Sequence, residues 1–168
     1  MPADGGLEKA NPRAPLGLTR NPFMAKLFTL QEAEDLIPSL QEWLPEAIDA
    51  RRQAVEADGE LQQVTARIQV LGGVELDPAK VSTFKHAKER SVRKLQTAMQ
   101  HIEESGCVVK DLDIGLVDFP AMLGDEQVFL CWKLGEPRIE FWHRMDEGFA
   151  GRKPISDEFG SSGPNRPH

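Results

Sequence analysis

The stretch that decides the fold runs from Asp77 to Gly106 and reads DPAKVSTFKHAKERSVRKLQTAMQHIEESG. Asp77 is a good helix cap, Pro78 occupies the first-turn position that tolerates proline, and Gly106 is a typical helix stop. Between them, residues at three- and four-residue steps form one stripe that is apolar except for a lysine: Val81, Phe84, Lys88, Val92, Leu95, Met99 and Ile102. The stretch therefore predicts a helix about 40 Å long.

An earlier stretch predicts a second long helix. Thr29 and Glu32 have the spacing of a capping box, and Gly72-Gly73 is a stop. The apolar stripe between them comprises Leu30, Ala33, Ile37, Leu40, Leu44, Ala47, Ile48, Leu61, Val64, Ile68 and Leu71. Pro38 and Pro45 each remove an internal hydrogen bond, and we expect them to bend or break this helix locally. Two long helices joined by a short glycine-rich turn should form an antiparallel hairpin.

After the second helix the hydrophobic period changes from 3.6 to 2, which indicates strands. Residues 127–134 and 138–144 predict two strands around Gly135-Glu136, a pair suited to a tight turn. Residues 114–119 predict a third strand, which Pro120 should close. The predicted fold class is α+β, a long antiparallel helical hairpin followed by a small antiparallel sheet of about three strands.

The predicted sheet has two polar residues at the ends of apolar stripes. If the hairpin loop has an even number of residues, the partners on one face are Trp132 with Ile139, Leu130 with Phe141 and Val128 with His143. His143 then ends an apolar face, and Asp118 ends the stripe that Ile114 and Leu116 begin. An imidazole and a carboxylate in such places must be paired, solvated or bound to a ligand, because burying either alone is costly.

Length and composition indicate one domain. The chain has 168 residues, of which 40% are hydrophobic and 28% charged, enough for one core. We expect a single domain over residues 28–155, with the helical hairpin in 28–106 and the β-segment in 107–155. Residues 1–27 are rich in proline and glycine and predict a disordered leader, and residues 156–168 predict a flexible tail.

Charge and hydropathy exclude several classes of protein. The net charge of −7 argues against a general nucleic-acid binder. No apolar run approaches the roughly 20 residues of a membrane span, and the N-terminus lacks the apolar core of a secretory signal, so we expect a cytoplasmic protein. Its cysteines, Cys107 and Cys131, should be reduced and buried as small apolar side chains. Met24 precedes the ordered sequence, so we expect some native chains to start there.

Several motifs together resemble a known family. They are Phe28-Thr29-Leu30 with Glu32-Ala33, Lys110-Asp111, Asp113 with Gly115-Leu116-Val117-Asp118-Phe119-Pro120, Leu130-Cys131-Trp132 with Gly135-Glu136, Phe141-Trp142-His143, and Gly148-Phe149 with Gly151-Arg152 and Pro154-Ile155. The chain resembles an uncharacterised bacterial family, domain of unknown function 2203, over about residues 28–155. The resemblance implies no particular activity or cofactor.

Four residues of the β-segment are candidate metal ligands. Asp111, Asp113, Asp118 and His143 offer the oxygen and nitrogen donors that hold a divalent metal, the carboxylates favouring magnesium or manganese and the imidazole zinc or iron. Asp118 and His143 are also the candidate catalytic acid and base. An Asp-x-Asp sequence starts many ordinary turns as well, because short acidic side chains bond to nearby backbone amides.

Three further residues are candidates for binding a small anionic ligand. Arg152, between glycines, is suited to grip a carboxylate or phosphate, with Trp142 and Phe149 as an apolar wall. A salt bridge to Asp111, Asp113 or Glu147 and burial of the aromatic rings in the core would explain the same residues. Two hypotheses therefore stay open: a metal or small-molecule site at the end of the sheet, or a non-catalytic interaction protein whose helices form a homodimer or bind a partner.

Overall fold

The computed structural model describes residues 26–72 and 77–159. Two helices are followed by five strands in the order α1 (Leu30–Leu71), α2 (Pro78–Ser105), β1 (Val108–Asp111), β2 (Leu116–Leu123), β3 (Glu126–Lys133), β4 (Phe141–Arg144) and β5 (Lys153–Pro154). The α+β class is confirmed, with five strands instead of about three. The predicted leader, apart from residues 26 and 27, lies outside the described residues, as do residues 160–168 of the predicted tail.

Helix α1 begins and ends where the sequence predicts. The Thr29 side chain accepts a hydrogen bond from the Glu32 amide at 3.1 Å, and the Glu32 carboxylate accepts one from the Thr29 amide at 2.9 Å. Gly72 ends the helix with a φ of 65°. The helix continues through Pro38 and Pro45. Of the two expected outcomes, a bend or a break, the break does not occur, because the apolar side chains around both prolines are buried in the core and this packing outweighs two missing hydrogen bonds.

Helix α2 also has the predicted caps. The Asp77 carboxylate accepts from the Ala79 amide at 3.0 Å, and Gly106 ends the helix with a φ of 96°. An ion pair between Lys88 and Asp58 joins the two helices of the hairpin. Among the residues that the structure describes, no helix is both long and apolar enough to cross a membrane.

The sheet is an antiparallel meander in which each strand pairs with the next along the chain. Because side chains alternate across a strand, each strand presents one set of residues to the helices and another to the opposite side. The side chains on the helix-facing side pack against α1 and the end of α2 and form the hydrophobic core. The buried residues of this core include Phe28, Ile37, Leu40, Leu44, Ile102, Val117, Phe119, Ala121, Val128, Leu130, Trp132 and Ile139.

The predicted pairing of β3 with β4 is wrong by one residue. The observed partners are Phe129 with His143 and Leu130 with Trp142. The loop from Leu134 to Glu140 has seven residues, an odd number, whereas the prediction assumed an even number. Glu136 organises this wider loop: its carbonyl accepts a hydrogen bond from the Trp132 indole at 3.0 Å, and its carboxylate accepts one from the Lys133 amide at 2.8 Å. The shift moves His143 to the face away from Leu130.

Strand β2 is longer than predicted, because it continues through Pro120 to Leu123. The Pro120 carbonyl accepts a hydrogen bond from the Phe28 amide at 2.7 Å, which shows that its backbone polar groups point away from β3. At Pro120, β1 no longer pairs with β2 on that side, so the absence of an amide proton costs no hydrogen bond between strands. Pro120 is tolerated within the strand for this reason.

Gly115 should be far more sensitive to substitution than Gly124. Both have positive φ, 63° and 61°, but a β-carbon on Gly115 would lie 2.5 Å from Leu134 Cβ, whereas one on Gly124 would meet nothing within 4 Å. Gly124→Ala should cost about 1–2 kcal/mol of unfolding free energy from backbone strain alone. Gly115→Ala should cost about 1–3 kcal/mol more, because Leu134 must move. Urea unfolding of both variants measures the difference, and equal losses would contradict the close packing.

Candidate functional site

Three polar side chains from adjacent strands meet on the sheet face that points away from the helices. Asp118 on β2 lies directly opposite Cys131 on β3, and Cys131 lies opposite Phe141 on β4. His143 is two residues beyond Phe141 and so shares its face. Asp118 is 1% exposed, His143 2% and Cys131 0%. The strand register thus gathers a carboxylate, a thiol and an imidazole in the middle of the sheet.

The hydrogen bonds of His143 define where its protons lie. Its Nδ1 is 2.8 Å from the Arg144 carbonyl oxygen, and its Nε2 is 3.0 Å from Asp118 Oδ2. A carbonyl oxygen can only accept, so Nδ1 carries a proton. The contact between Nε2 and Oδ2 then needs one further proton, on either the imidazole or the carboxyl group. In both arrangements the pair of side chains has no net charge.

Zero net charge explains why the pair can be buried. A single buried ion costs several kcal/mol, whereas a hydrogen-bonded pair whose charges cancel recovers most of that cost. One atom remains unpaired: Asp118 Oδ1 is buried and has no hydrogen-bond partner among the described residues. Since almost all buried polar atoms are satisfied, this oxygen is an exception within the cluster, where the Cys131 thiol is the other polar group near the carboxylate.

Cys131 completes the cluster, and the sequence interpretation missed it as a site residue. One ligand atom from each of Asp118, Cys131 and His143 lies within 4.8 Å of the others. Burial, with a further contribution from Asp118, raises the pKa of the Cys131 thiol to about 12. The signal that could have identified Cys131 is strand alternation: it falls out of phase with Leu130 and Trp132, the core-facing residues on either side.

Apolar groups close the site from solvent. The Phe129 ring centroid is 5.5 Å from that of the His143 imidazole, and Leu116 and Pro120 are buried on the same face as Asp118. The Arg152 guanidinium lies 4.3 Å from the centroid of the Phe141 ring. The cluster is therefore enclosed within the central strands, whereas the sequence placed it at the end of the sheet.

Asp111 and Asp113 do not join the cluster. Asp113 forms an ion pair with Arg51 at 2.6 Å and is largely exposed. Asp111 Oδ1 accepts a hydrogen bond from the Asp113 amide at 2.9 Å, the geometry of a local turn between β1 and β2. The two predicted metal ligands thus have structural roles at the surface, while Asp118 and His143 are brought together.

The predicted anion-binding residues are separated by the sheet. The Arg152 guanidinium binds the Glu136 carboxylate at 2.8 and 2.9 Å and lies 4.8 Å from the Phe149 ring centroid. Trp142 faces the opposite side, against the core, and its ring centroid is 5.8 Å from that of Phe159. Arg152 has a salt bridge, as the alternative interpretation held, but its partner is Glu136 and not one of the three acids considered.

The family to which the chain belongs is clear from its sequence match. A family described as "Uncharacterized conserved protein (DUF2203)" matches residues 26–155, and the chain is a member of it. The resemblance identified from the motifs is thereby confirmed. No curated protein and no solved structure matches the chain.

Removing His143 should be far more damaging than removing an exposed ion-pair partner. His143→Ala leaves Asp118 buried without its partner, so we expect a loss of about 3–5 kcal/mol in the free energy of unfolding. Arg138→Ala breaks an exposed ion pair with Glu140 and should change stability little. In the double variant Asp118→Ala/His143→Ala the losses should be less than additive, because no unpaired charge remains. Additive losses in chemical unfolding would contradict the pairing.

The Cys131 thiol should resist alkylation and make stability sensitive to high pH. Only the thiolate reacts, so iodoacetamide at pH 8 should label Cys131 much more slowly in the folded protein than in urea. The folded state holds this proton more tightly, with a pKa of about 12 against 9.0, so stability should fall as the pH rises from 9 toward 12. The Cys131→Ser variant should lose less stability than the wild type over this pH range. Equal labelling rates in folded and unfolded protein would contradict this prediction.

Proposed function

We propose that this member of the family is a cytoplasmic protein that binds one divalent transition metal through Asp118, Cys131 and His143. The observation that carries the proposal is the convergence of three donor atoms of different types within 4.8 Å on three adjacent strands. Carboxylate, thiolate and imidazole are the side chains that bind zinc in proteins. A reducing compartment would keep Cys131 available as a ligand.

The orientation of His143 supports a metal at Nε2. A metal-bound histidine usually donates its other ring N–H to a carboxylate or a backbone carbonyl, which fixes the ring and leaves one nitrogen lone pair for the metal. The Nδ1 contact with the Arg144 carbonyl at 2.8 Å supplies such a bond. Nε2 faces Asp118 and the site interior, so the ring is already oriented for coordination.

The charges of the three ligands match a divalent ion. A carboxylate and a thiolate contribute two negative charges and a neutral imidazole contributes none, so the complex with a divalent cation is neutral. Neutrality matters here because Asp118, Cys131 and His143 are all buried. Binding would displace two protons, the one shared by Asp118 and His143 and the one on the thiol. The unpaired Oδ1 of Asp118 would gain a positive neighbour.

The ligand set favours zinc over magnesium. Magnesium and manganese prefer oxygen donors, as in the set of Asp111, Asp113 and Asp118 considered from the sequence, whereas a sulfur and a nitrogen donor favour zinc and related borderline metals. Zinc bonds of about 2.3 Å to sulfur and about 2.0 Å to nitrogen place ligand atoms about 3.5 Å apart. Small side-chain movements from the present separations would reach that distance.

A small anionic molecule is a less well supported ligand. Arg152, the residue expected to grip it, already binds Glu136 and is packed between the Phe141 and Phe149 rings. Its guanidinium would have to leave a partly buried carboxylate before it could bind another anion, which would cost a charge-assisted hydrogen bond. The contacts of Arg152 support a structural role beside the metal site.

Cobalt(II) provides a direct test, because a cobalt–thiolate bond gives a charge-transfer absorption band in the near ultraviolet. Protein that is unfolded in urea with a chelator, freed of the chelator and refolded with cobalt should develop this band with one equivalent bound, and an excess of zinc during refolding should suppress it. Binding should also raise the stability of the folded state by about 2.7 kcal/mol at a metal concentration 100 times the dissociation constant. About two protons should be released per ion in weakly buffered solution.

The two cysteines supply a matched control. Cys131→Ser should abolish the charge-transfer band, whereas Cys107→Ser should retain it, although both thiols are buried and free. Asp118→Asn should weaken cobalt binding by more than about tenfold, since it removes one negative ligand. Absence of the band in the wild-type protein, or a band that survives in Cys131→Ser, would refute the proposal and leave the cluster as a structural hydrogen-bonded pair.

A further inference from the structure

The distal half of the helical hairpin lies outside the core. The core cluster takes its α1 members from Leu44 and earlier residues and its α2 members from Met99 and Ile102. In the distal half, which comprises residues 51–71 of α1 and 78–97 of α2, the only buried residues are Ala57 and Ser91. About 20 residues of α1 therefore extend some 30 Å with little burial.

A groove with a volume of about 590 Å³ lies between the helices in this distal half, along residues 53–60 of α1 and 84–94 of α2. Its floor is formed by small or apolar side chains, Ala57, Phe84, Ala87 and Ser91. Its walls are charged and of opposite sign: Glu56 and Glu60 line the α1 side, and Arg90 and Lys94 line the α2 side. On each wall the two charges are four residues apart, so each pair lies on one face of its helix.

Most of these wall charges are unused within the chain. Glu60, Arg90 and Lys94 form no ion pair with any residue in the ranges 26–72 and 77–159, and Glu56 pairs only with the exposed Arg52. An acidic wall and a basic wall that face the same way are the pattern of a surface that complements a copy of itself.

The groove opens away from the sheet. Leu40 and Leu44 point from α1 into the core. At 3.6 residues per turn, Glu60 lies about 200° around the helix from Leu40 and about 160° from Leu44. A molecule that docks in the groove therefore approaches the back of the hairpin, where the sheet does not obstruct it.

We propose that this groove binds the same groove of a second copy of the chain, forming a two-fold symmetric dimer. If the two-fold axis runs parallel to the helices, α1 of each copy lies over α2 of the other copy. Glu56 and Glu60 then face the basic wall of the second copy. The arrangement with α1 over α1 would place acidic walls against each other and basic walls against each other. Charge complementarity thus selects both the occupant and its orientation.

A second groove on the same hairpin lacks this property. Its charged residues, Lys85, Lys88, Glu89 and Arg93, all belong to α2, and three of the four are basic. Of the described α1 residues only Leu61 lines this groove, so two copies of the surface have no acidic wall to set against a basic one, and it provides a control surface on the same helices.

Sedimentation equilibrium of the full-length protein tests the dimer. The wild-type chain should show a concentration-dependent mass that approaches twice 18.7 kDa. Arg90→Glu/Lys94→Glu makes both walls acidic, and Glu56→Lys/Glu60→Lys makes both walls basic. Each double variant should raise the dimer dissociation constant by more than about tenfold.

Mixing the two charge-reversed variants distinguishes a specific contact from misfolding. The acidic variant's walls complement the basic variant's walls at both contacts, so the mixture should form a heterodimer at concentrations where each variant alone is mainly monomeric. The control variant Lys85→Glu/Arg93→Glu should dimerise as the wild type does. A monomeric wild type, variants that dimerise normally, or a mixture that stays monomeric would each overturn the proposal.

Discussion

The alternation of side chains across β2, β3 and β4 is the constraint on which both the core and the candidate site depend. Val117, Leu130 and Trp142 point toward the helices, while Asp118 and Cys131 point the other way. A shift of one residue in any strand would exchange the two sets. The same backbone hydrogen bonds therefore hold the apolar core on one face and gather the polar cluster on the other.

The helices could be predicted because their signals are local. Thr29, Asp77 and Gly106 act within one turn of their own helix. The sequence alone therefore located the start of α1 and both ends of α2. The sheet depends on pairing between distant segments. Gly135-Glu136 did not reveal whether the loop after β3 has an even or an odd number of residues. That number decides on which face of the sheet His143 lies.

The candidate site was accessible from the sequence only in part. Asp118 and His143 stood out because each interrupts an apolar pattern, and they do meet, at 3.0 Å. Cys131 did not stand out, because a thiol in an apolar strand is equally well explained as a small core residue. Asp111 and Asp113 were conspicuous for their charge alone, and a turn with Arg51 nearby accounts for both.

The enclosure of the Asp118–Cys131–His143 cluster has a kinetic consequence. All three side chains are at most 2% exposed and lie on central strands. Any ion held there would enter or leave only when the strands separate, and such opening of a packed sheet is rare and slow. The metal would then bind while the nascent chain folds. The fraction of protein that holds a metal would depend on the metal concentrations at the time of synthesis and would change little when those concentrations change later.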